Sequence, residues 1–541
     1  MCPIVGRDGE EMRFLALIVV AGLLFPSASF STPGDVSKRV PLPFHHPTGI
    51  AWDGSSLWAA DRKTDMFYRL DPVKGTVLDS LVSPGHFPSG LAWDGKLLWS
   101  TDPTDAKIYA TDVSSGKTVV TIDAPAPGPM GIAWAGTSLW ICDNSDKTIS
   151  KIDPSDGTTI ISFKAPATDP RGIVFGNGYL WCSDRVKDQI YGIDPASGTV
   201  VIILDAPGRF GWGLTWKDGH LLNADYQDDA VFEIVVKDAQ QFKTYDPRRA
   251  TVDFANDATA SGSGEVTSLD INCAVPADRP NQKLLKPVVY SPQPTRFAKD
   301  RWGQGVAVFH IENMKAPQEF VASMKVTLET SALRYFLYPE NVGSDIPPDV
   351  KKIYLADEIK YDITNPYIQE IVKKVVGTET NPYWKARKLY QYVIANMEYQ
   401  LFGGWNTAPT VLRRGNGSCS EYSFSYISLC RAAGVPARYV GALVVRGDDA
   451  SYDDVFHRWC EVYLPGYGWV PVDANAGDRE LPADQASAFG GIANRFLITT
   501  EGGGASEYLG WNYNAESAAV TTGKCHVKVE SIAEWEPLMT R

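Results

Sequence analysis

The stretch "GIAWDGSSLWAAD" (residues 49–61) returns as "GLAWDGKLLWSTD" (90–102), "GIAWAGTSLWICD" (131–143), "GIVFGNGYLWCSD" (172–184) and "GLTWKDGHLLNAD" (213–225). Each start lies 41 residues after the one before, and no gap is needed anywhere. The register also holds at Trp52, Trp93, Trp134, Phe175 and Trp216, and at Asp61, Asp102, Asp143, Asp184 and Asp225. A fixed period of this kind marks stacked repeats. Within one unit "GIAW", "SLWAAD", "MFYRLDP" and "TVLDSLV" read as four short strands separated by turn residues. Four strands in about 40 residues make one propeller blade, and a radial array of blades protects its own sheet edges. The motif has lapsed by Phe254, so a five-bladed propeller is expected over residues 32–248. Either "RVPLPF" from Arg39 or "QQFKTYD" near Phe242 can supply the strand that closes the ring.

The repeated Gly, Trp and Asp positions resemble those of bacterial NHL-type and related lactonase-like β-propellers. The resemblance implies architecture more than activity. The indoles are expected to pack between blades and the carboxylates to satisfy turn amides. A ligand at the central channel is the functional alternative. His45, His46, His86 and His220 recur at no common offset, so neither a metal nor another cofactor is expected.

A chain of 541 residues exceeds what one core supports, which predicts several domains. Its 44% hydrophobic and 21% charged content is that of a globular protein, and its net charge of -13 carries no basic run, which excludes nucleic acid as a main partner. "MRFLALIVVAGLLFPSASFS" (12–31) has the layout of a cleaved export signal. Residues 1–31 are therefore expected to be a leader, with Met12 as the natural start, and the mature chain, without a transmembrane segment, to be periplasmic or secreted. Eight cysteines are too few for a disulfide scaffold.

Beyond the repeats, "EFVASMKVTLE" alternates Phe320, Ala322, Met324, Val326 and Leu328 with polar or outward residues, the pattern of a half-buried strand. With "GVAVFHI" and "EVTSLDINCAVP" it predicts a β-sandwich over 249–340. Asn365-Pro366 and Asn381-Pro382 then start two helices. An α+β domain is expected over 341–515, followed by a C-terminal tail over 516–541.

In "GNGSCSEYSF" (415–424), Ser418 and Glu421 have capping-box spacing, which places Cys419 in the first turn of a helix whose apolar face carries Tyr422, Tyr426 and Cys430. There the helix dipole favours thiolate. Downstream, "HRWCEVYLPGYGWVPVD" is a strand, a turn and a returning strand, an arrangement that can set His457 beside Asp473. Cys430 and Cys460 are expected to be packing residues or a structural disulfide.

These two segments, "GSCSEYSFSYISLCRAAGVPARYV" and "HRWCEVYLPGYGWVPVD", resemble the bacterial transglutaminase-like superfamily. The resemblance covers about residues 250–515 and implies a papain-like α+β core. It makes Cys419 the acyl-accepting nucleophile, His457 the general base and acid, and Asp473 the orienting carboxylate. Trp405 is a candidate indole donor to the oxyanion. The implied substrate is a peptide or protein amide, with hydrolysis slightly ahead of acyl transfer. A catalytically inactive scaffold that uses the propeller to hold a partner is the alternative.

Overall fold

The computed structural model describes residues 32–401, 405–447 and 450–538. The expected leader lies outside the described residues.

The five repeats form five four-stranded antiparallel sheets. The first runs Pro47–Trp52, Leu57–Asp61, Met66–Leu70 and Val77–Val82. The fifth repeat supplies only Gly211–Lys217, His220–Asp225 and Ala230–Ile234; its outer strand is Val36–Pro41, with Val40 opposite Val231. The ring is thus closed by "RVPLPF", and Phe242 belongs to the next domain.

The repeated glycines line the axis. A Cβ on Gly49 would meet Gly90, and so on through Gly131, Gly172 and Gly213 back to Gly49. Five inner strands converge too closely for any side chain at this position, which is why the glycine recurs. The repeated carboxylates close turns: Asp143 accepts the N–H groups of Gly128 (2.7 Å), Ser145 (2.8 Å) and Asp146 (2.9 Å). Indoles bridge adjacent blades, as in Trp99 on Trp134 and Trp181 on Trp216, both at 6.3 Å between centroids.

The sandwich is built from two parts of the chain. Phe242–Ser261 pairs with Gln318–Tyr335 on one side and with His526–Pro537 on the other. In the second sheet Glu265–Ala274 pairs with Gly305–Lys315 and with Ala515–Thr521. The segment expected as a tail therefore completes both sheets. Its physical reason is the apolar side of the last strand: Ala533 and Trp535 are buried against Val252, Phe254 and Met324.

The α+β domain carries the expected helices Pro366–Val376 and Pro382–Asn396, whose Asn365 and Asn381 side chains accept the N–H groups of Tyr367 (3.1 Å) and Tyr383 (2.8 Å). Its sheet runs Gly468–Val472, His457–Leu464, Ala437–Val444, Phe496–Gly502, and helix Cys419–Ala432 packs on the His457 strand.

The propeller docks on this domain through its fourth blade. Val200–Asp205 is covered by Pro482–Ser487 and by helix Pro382–Asn396, with Arg387 Nη2 donating to the Val200 carbonyl at 3.2 Å. Tyr179 Oη also donates to Glu340 at 2.7 Å. Val200 and Ile202 are accordingly buried, whereas Val77 and Ile160 on equivalent strands of other blades are exposed. No helix among the described residues is long and apolar enough to cross a membrane.

Candidate active site

Helix Cys419–Ala432 begins as its sequence predicts. The Glu421 carboxylate accepts the Ser418 N–H (3.2 Å), and the same carboxylate takes the Asn406 N–H (3.0 Å) and Arg414 Nη2 (2.9 Å). The helix ends on Gly434 at φ 80°, with the Gly434 N–H on the Arg431 carbonyl (3.0 Å) and the Val435 N–H on the Cys430 carbonyl (2.8 Å). Instead of one apolar face, every residue from Cys419 to Arg431 is buried. The cause is enclosure: helices pack on one side and the sheet on the other, and serines at 423 and 428 donate to the Cys419 and Tyr361 carbonyls.

His457 opens its strand immediately after Phe456, a non-glycine residue at φ 61°. Asp453 holds this approach. Its buried carboxylate accepts the Val444 N–H (2.8 Å), the Phe456 N–H (3.2 Å) and Arg446 Nη2 (2.8 Å). The imidazole packs against a Trp459–Phe496 pair, with ring centroids at 5.9 and 5.7 Å. Asp473 follows the returning strand, and its Oδ2 lies 2.7 Å from His457 Nε2. Its Oδ1 accepts the N–H groups of Asn475 and Ala476 at 3.1 and 2.9 Å, which fixes the carboxylate.

Asp473 engages Nε2, which leaves Nδ1 as the nitrogen available to the Cys419 sulfur. Burial alone would push the thiol up. The His457 hydrogen bond and charge, the Arg458 backbone N–H and the Arg458 guanidinium outweigh it, so Cys419 is held below the ordinary thiol value. Burial would likewise lower the imidazole, but the Asp473 charge and hydrogen bond, with Cys419, push it up to about 10. The favoured state is a thiolate beside an imidazolium. Other buried thiols behave oppositely: burial pushes Cys273 and Cys430 up to about 12. Cys430 and Cys460 are free, buried packing residues, not a disulfide.

Trp405 packs on the Arg458 side of the site. Its ring is 5.2 Å from the Arg458 guanidinium and 6.4 Å from the Tyr513 ring. A cleft of about 410 Å³ opens beside Asp473, walled by Phe496 and Ile492, by Asp246 and Arg334 from the sandwich, and by Asp484 near the propeller contact. Sequence reasoning missed Asp453, Phe496 and Arg458. For Arg458 a signal was present: an arginine between His457 and Trp459 on a strand whose other charged residue is Glu461.

The profile of the transglutaminase-like superfamily matches residues 369–474, which include Cys419, His457 and Asp473. An uncharacterised protein of Haemophilus influenzae is 30% identical over 157 residues, covering 24% of this chain and 42% of that one. The chain thus spans under half the length of that relative. Among solved structures, a protein of Cytophaga hutchinsonii assigned as a cysteine protease is 16% identical, covering 55% of this chain and 100% of that one, with a TM-score of 0.38. Glutaminyl cyclase of Myxococcus xanthus is 15% identical, covering 38% and 97%, with a TM-score of 0.35. A streptogramin B lyase is 20% identical, covering 37% and 68%, with a TM-score of 0.27. This chain carries, beside its propeller, a domain of the transglutaminase-like superfamily.

Proposed function

We propose that the protein is an exported cysteine enzyme that acts on peptide or protein amides through an acyl-enzyme on Cys419. The observation that carries this reading is the 2.7 Å contact of His457 Nε2 with Asp473 beside a helix that starts on Cys419, with the thiol held down and the imidazole held up. Such a set of acid, base and orienting carboxylate is the working part of a cysteine acyl-transfer site.

The thiolate attacks the amide carbonyl, forming a C–S bond and a tetrahedral oxyanion. The first-turn N–H groups of helix Cys419–Ala432, which have no acceptor within the helix, face the developing charge. Trp405 is a second candidate donor. The His457 imidazolium passes its Nδ1 proton to the leaving nitrogen as the C–N bond breaks. His457 then takes a proton from an incoming water or amine, which cleaves the thioester and frees Cys419. Asp473 accepts the Nε2–H throughout and keeps the ring in the required tautomer. Water is the acceptor at hand wherever a site does not exclude it, which places hydrolysis slightly ahead of transfer. The cleft beside Asp473, whose lining includes neither Cys419 nor His457, is bordered by the segment that docks on the fourth blade, so the propeller stands next to this part of the domain. The export leader read in residues 12–31 supports a periplasmic or extracellular setting for this chemistry.

The test is a panel of peptide amides and esters followed by intact-mass analysis. An acyl adduct on the Cys419 peptide, absent in Cys419→Ala, is expected; activity retained in Cys419→Ala would overturn the proposal. Release of ammonia or a cleaved peptide, against incorporation of an added amine, separates hydrolysis from transfer.

A further inference from the structure

Arg458 is wholly buried, and among the described residues no carboxylate pairs with it. Nη2 donates to the Trp511 carbonyl, while Nε and Nη1 have no hydrogen-bond partner. Four rings surround the guanidinium carbon: Tyr513 at 4.2 Å, Tyr439 at 4.7 Å, Phe424 at 5.1 Å and Trp405 at 5.2 Å. Trp511 and Tyr513 come from "LGWNY", a segment to which the triad gives no task. Ring faces stabilise a cation but do not replace a counter-ion, and a buried charge without one is costly. An apolar side chain would fill the same cage without that cost.

The charge has one neighbour that can answer it. Residue 458 follows His457 on the strand, so its side chain leaves from the opposite face, toward helix Cys419–Ala432, where Ser423 Oγ lies 2.9 Å from the Cys419 carbonyl and 3.3 Å from the Arg458 carbonyl. The other titratable groups on this side are the phenols of Tyr439, Tyr361 and Tyr513 and the thiol of Cys460, all raised by burial and neutral at physiological pH. Nearby carboxylates are engaged elsewhere: Asp453 by Arg446 and Glu358 by Arg301.

We infer that Arg458 is a positioning residue for Cys419, a fixed buried cation that holds negative charge on sulfur as Asp473 holds positive charge on His457. The inference rests on the triad reading above and adds a second anchor to it. The proton shared by sulfur and Nδ1 then lies between two fixed charges, a cation beside the sulfur and an anion behind the imidazole. Both draw it toward nitrogen.

The test follows carboxamidomethylation of Cys419 by iodoacetamide on the full mature chain, quantified on the Cys419 peptide from pH 4 to 10. In the wild type the rate is expected to rise at a pH below the ordinary thiol range and then to stay level. Arg458→Met should move that rise up by about one pH unit or more, lowering the rate on its acid side about tenfold, while Arg458→Lys recovers most of it. Arg458→Gln serves the same purpose if the Met variant does not fold. An unshifted profile in a folded neutral variant, with an unchanged melting temperature, would overturn the inference. If the profile moves in His457→Ala but not in the Arg458 variants, only the Arg458 assignment falls. If the wild type rises at an ordinary thiol pH and His457→Ala does not alter it, the triad reading itself falls.

Discussion

His457 Nε2 and Asp473 Oδ2 stand 2.7 Å apart, at the same end of two paired strands, because the ladder that sets Cys460 opposite Val472 carries both residues to the helix start at Cys419. A base whose outer nitrogen is fixed can offer only its inner one to sulfur. The pH behaviour follows. The imidazole, raised to about 10, stays protonated across the neutral range, while the thiol ionises below its ordinary value. The kcat/KM profile should therefore have an acid limb below the ordinary thiol value and a basic limb near pH 10. Asp473→Asn should move the basic limb toward the ordinary imidazole range and lower kcat/KM by roughly 10²- to 10⁴-fold. His457 is raised above its unfolded value of about 6.5, so its contribution to stability is complete below that pH and is lost as pH rises through about 10. Thermal melts of wild type and Asp473→Asn between pH 6 and 10 would show that alkaline loss shrink in the variant.

Glu421 is a fully buried carboxylate that accepts hydrogen bonds from Ser418, Asn406 and Arg414. Glu421→Ala removes all three and leaves Arg414 without its counter-ion. A loss of roughly 2 to 4 kcal/mol is expected in the denaturant-induced transition of this domain, with a smaller loss for Glu421→Gln.

Two propeller glycines should respond unequally to alanine. At Gly131 a Cβ would lie 2.7 Å from the Arg171 carbonyl oxygen of the next blade, whereas at Gly136, at φ 67°, nothing lies within 4 Å. Gly136→Ala carries only the backbone penalty of about 1 kcal/mol, and Gly131→Ala adds overpacking of about 1 to 3 kcal/mol against backbone that cannot move aside. Melting temperatures of the two variants measure the difference.

Deletion of residues 515–541 should unfold the sandwich, since it strips a strand from each sheet and exposes Val252 and Phe254. Size-exclusion chromatography and proteolysis of the truncated chain are expected to show aggregation and rapid cleavage. A dispensable tail would leave both unchanged.

The blades were legible because the informative positions recur at a constant step, so Gly49 and Asp61 could each be checked against four copies, and Trp52 against three and Phe175. The caps at Asn365, Asn381 and Glu421 were legible because their partners lie within three residues in the chain. The last strand was not. Val527, Val529, Ala533 and Trp535 recur at every second or fourth position, but their partners sit about 270 to 280 residues away, and a strand near a chain end looks like loose coil until the facing edge is known. The Arg458 cage was hidden for the same reason. Its rings come from four separate segments, and only the fold brings Trp405, Phe424, Tyr439 and Tyr513 together.

The most direct measurement is active-site labelling of the purified chain with an amide-mimicking thiol electrophile at pH 6, read by peptide mass spectrometry in wild type, Cys419→Ala and His457→Ala. Rapid, stoichiometric modification of Cys419 is expected in the wild type, none at that position in Cys419→Ala, and a rate reduced at least about a hundredfold in His457→Ala. Equal labelling of wild type and His457→Ala would contradict a thiolate held ready by the imidazole.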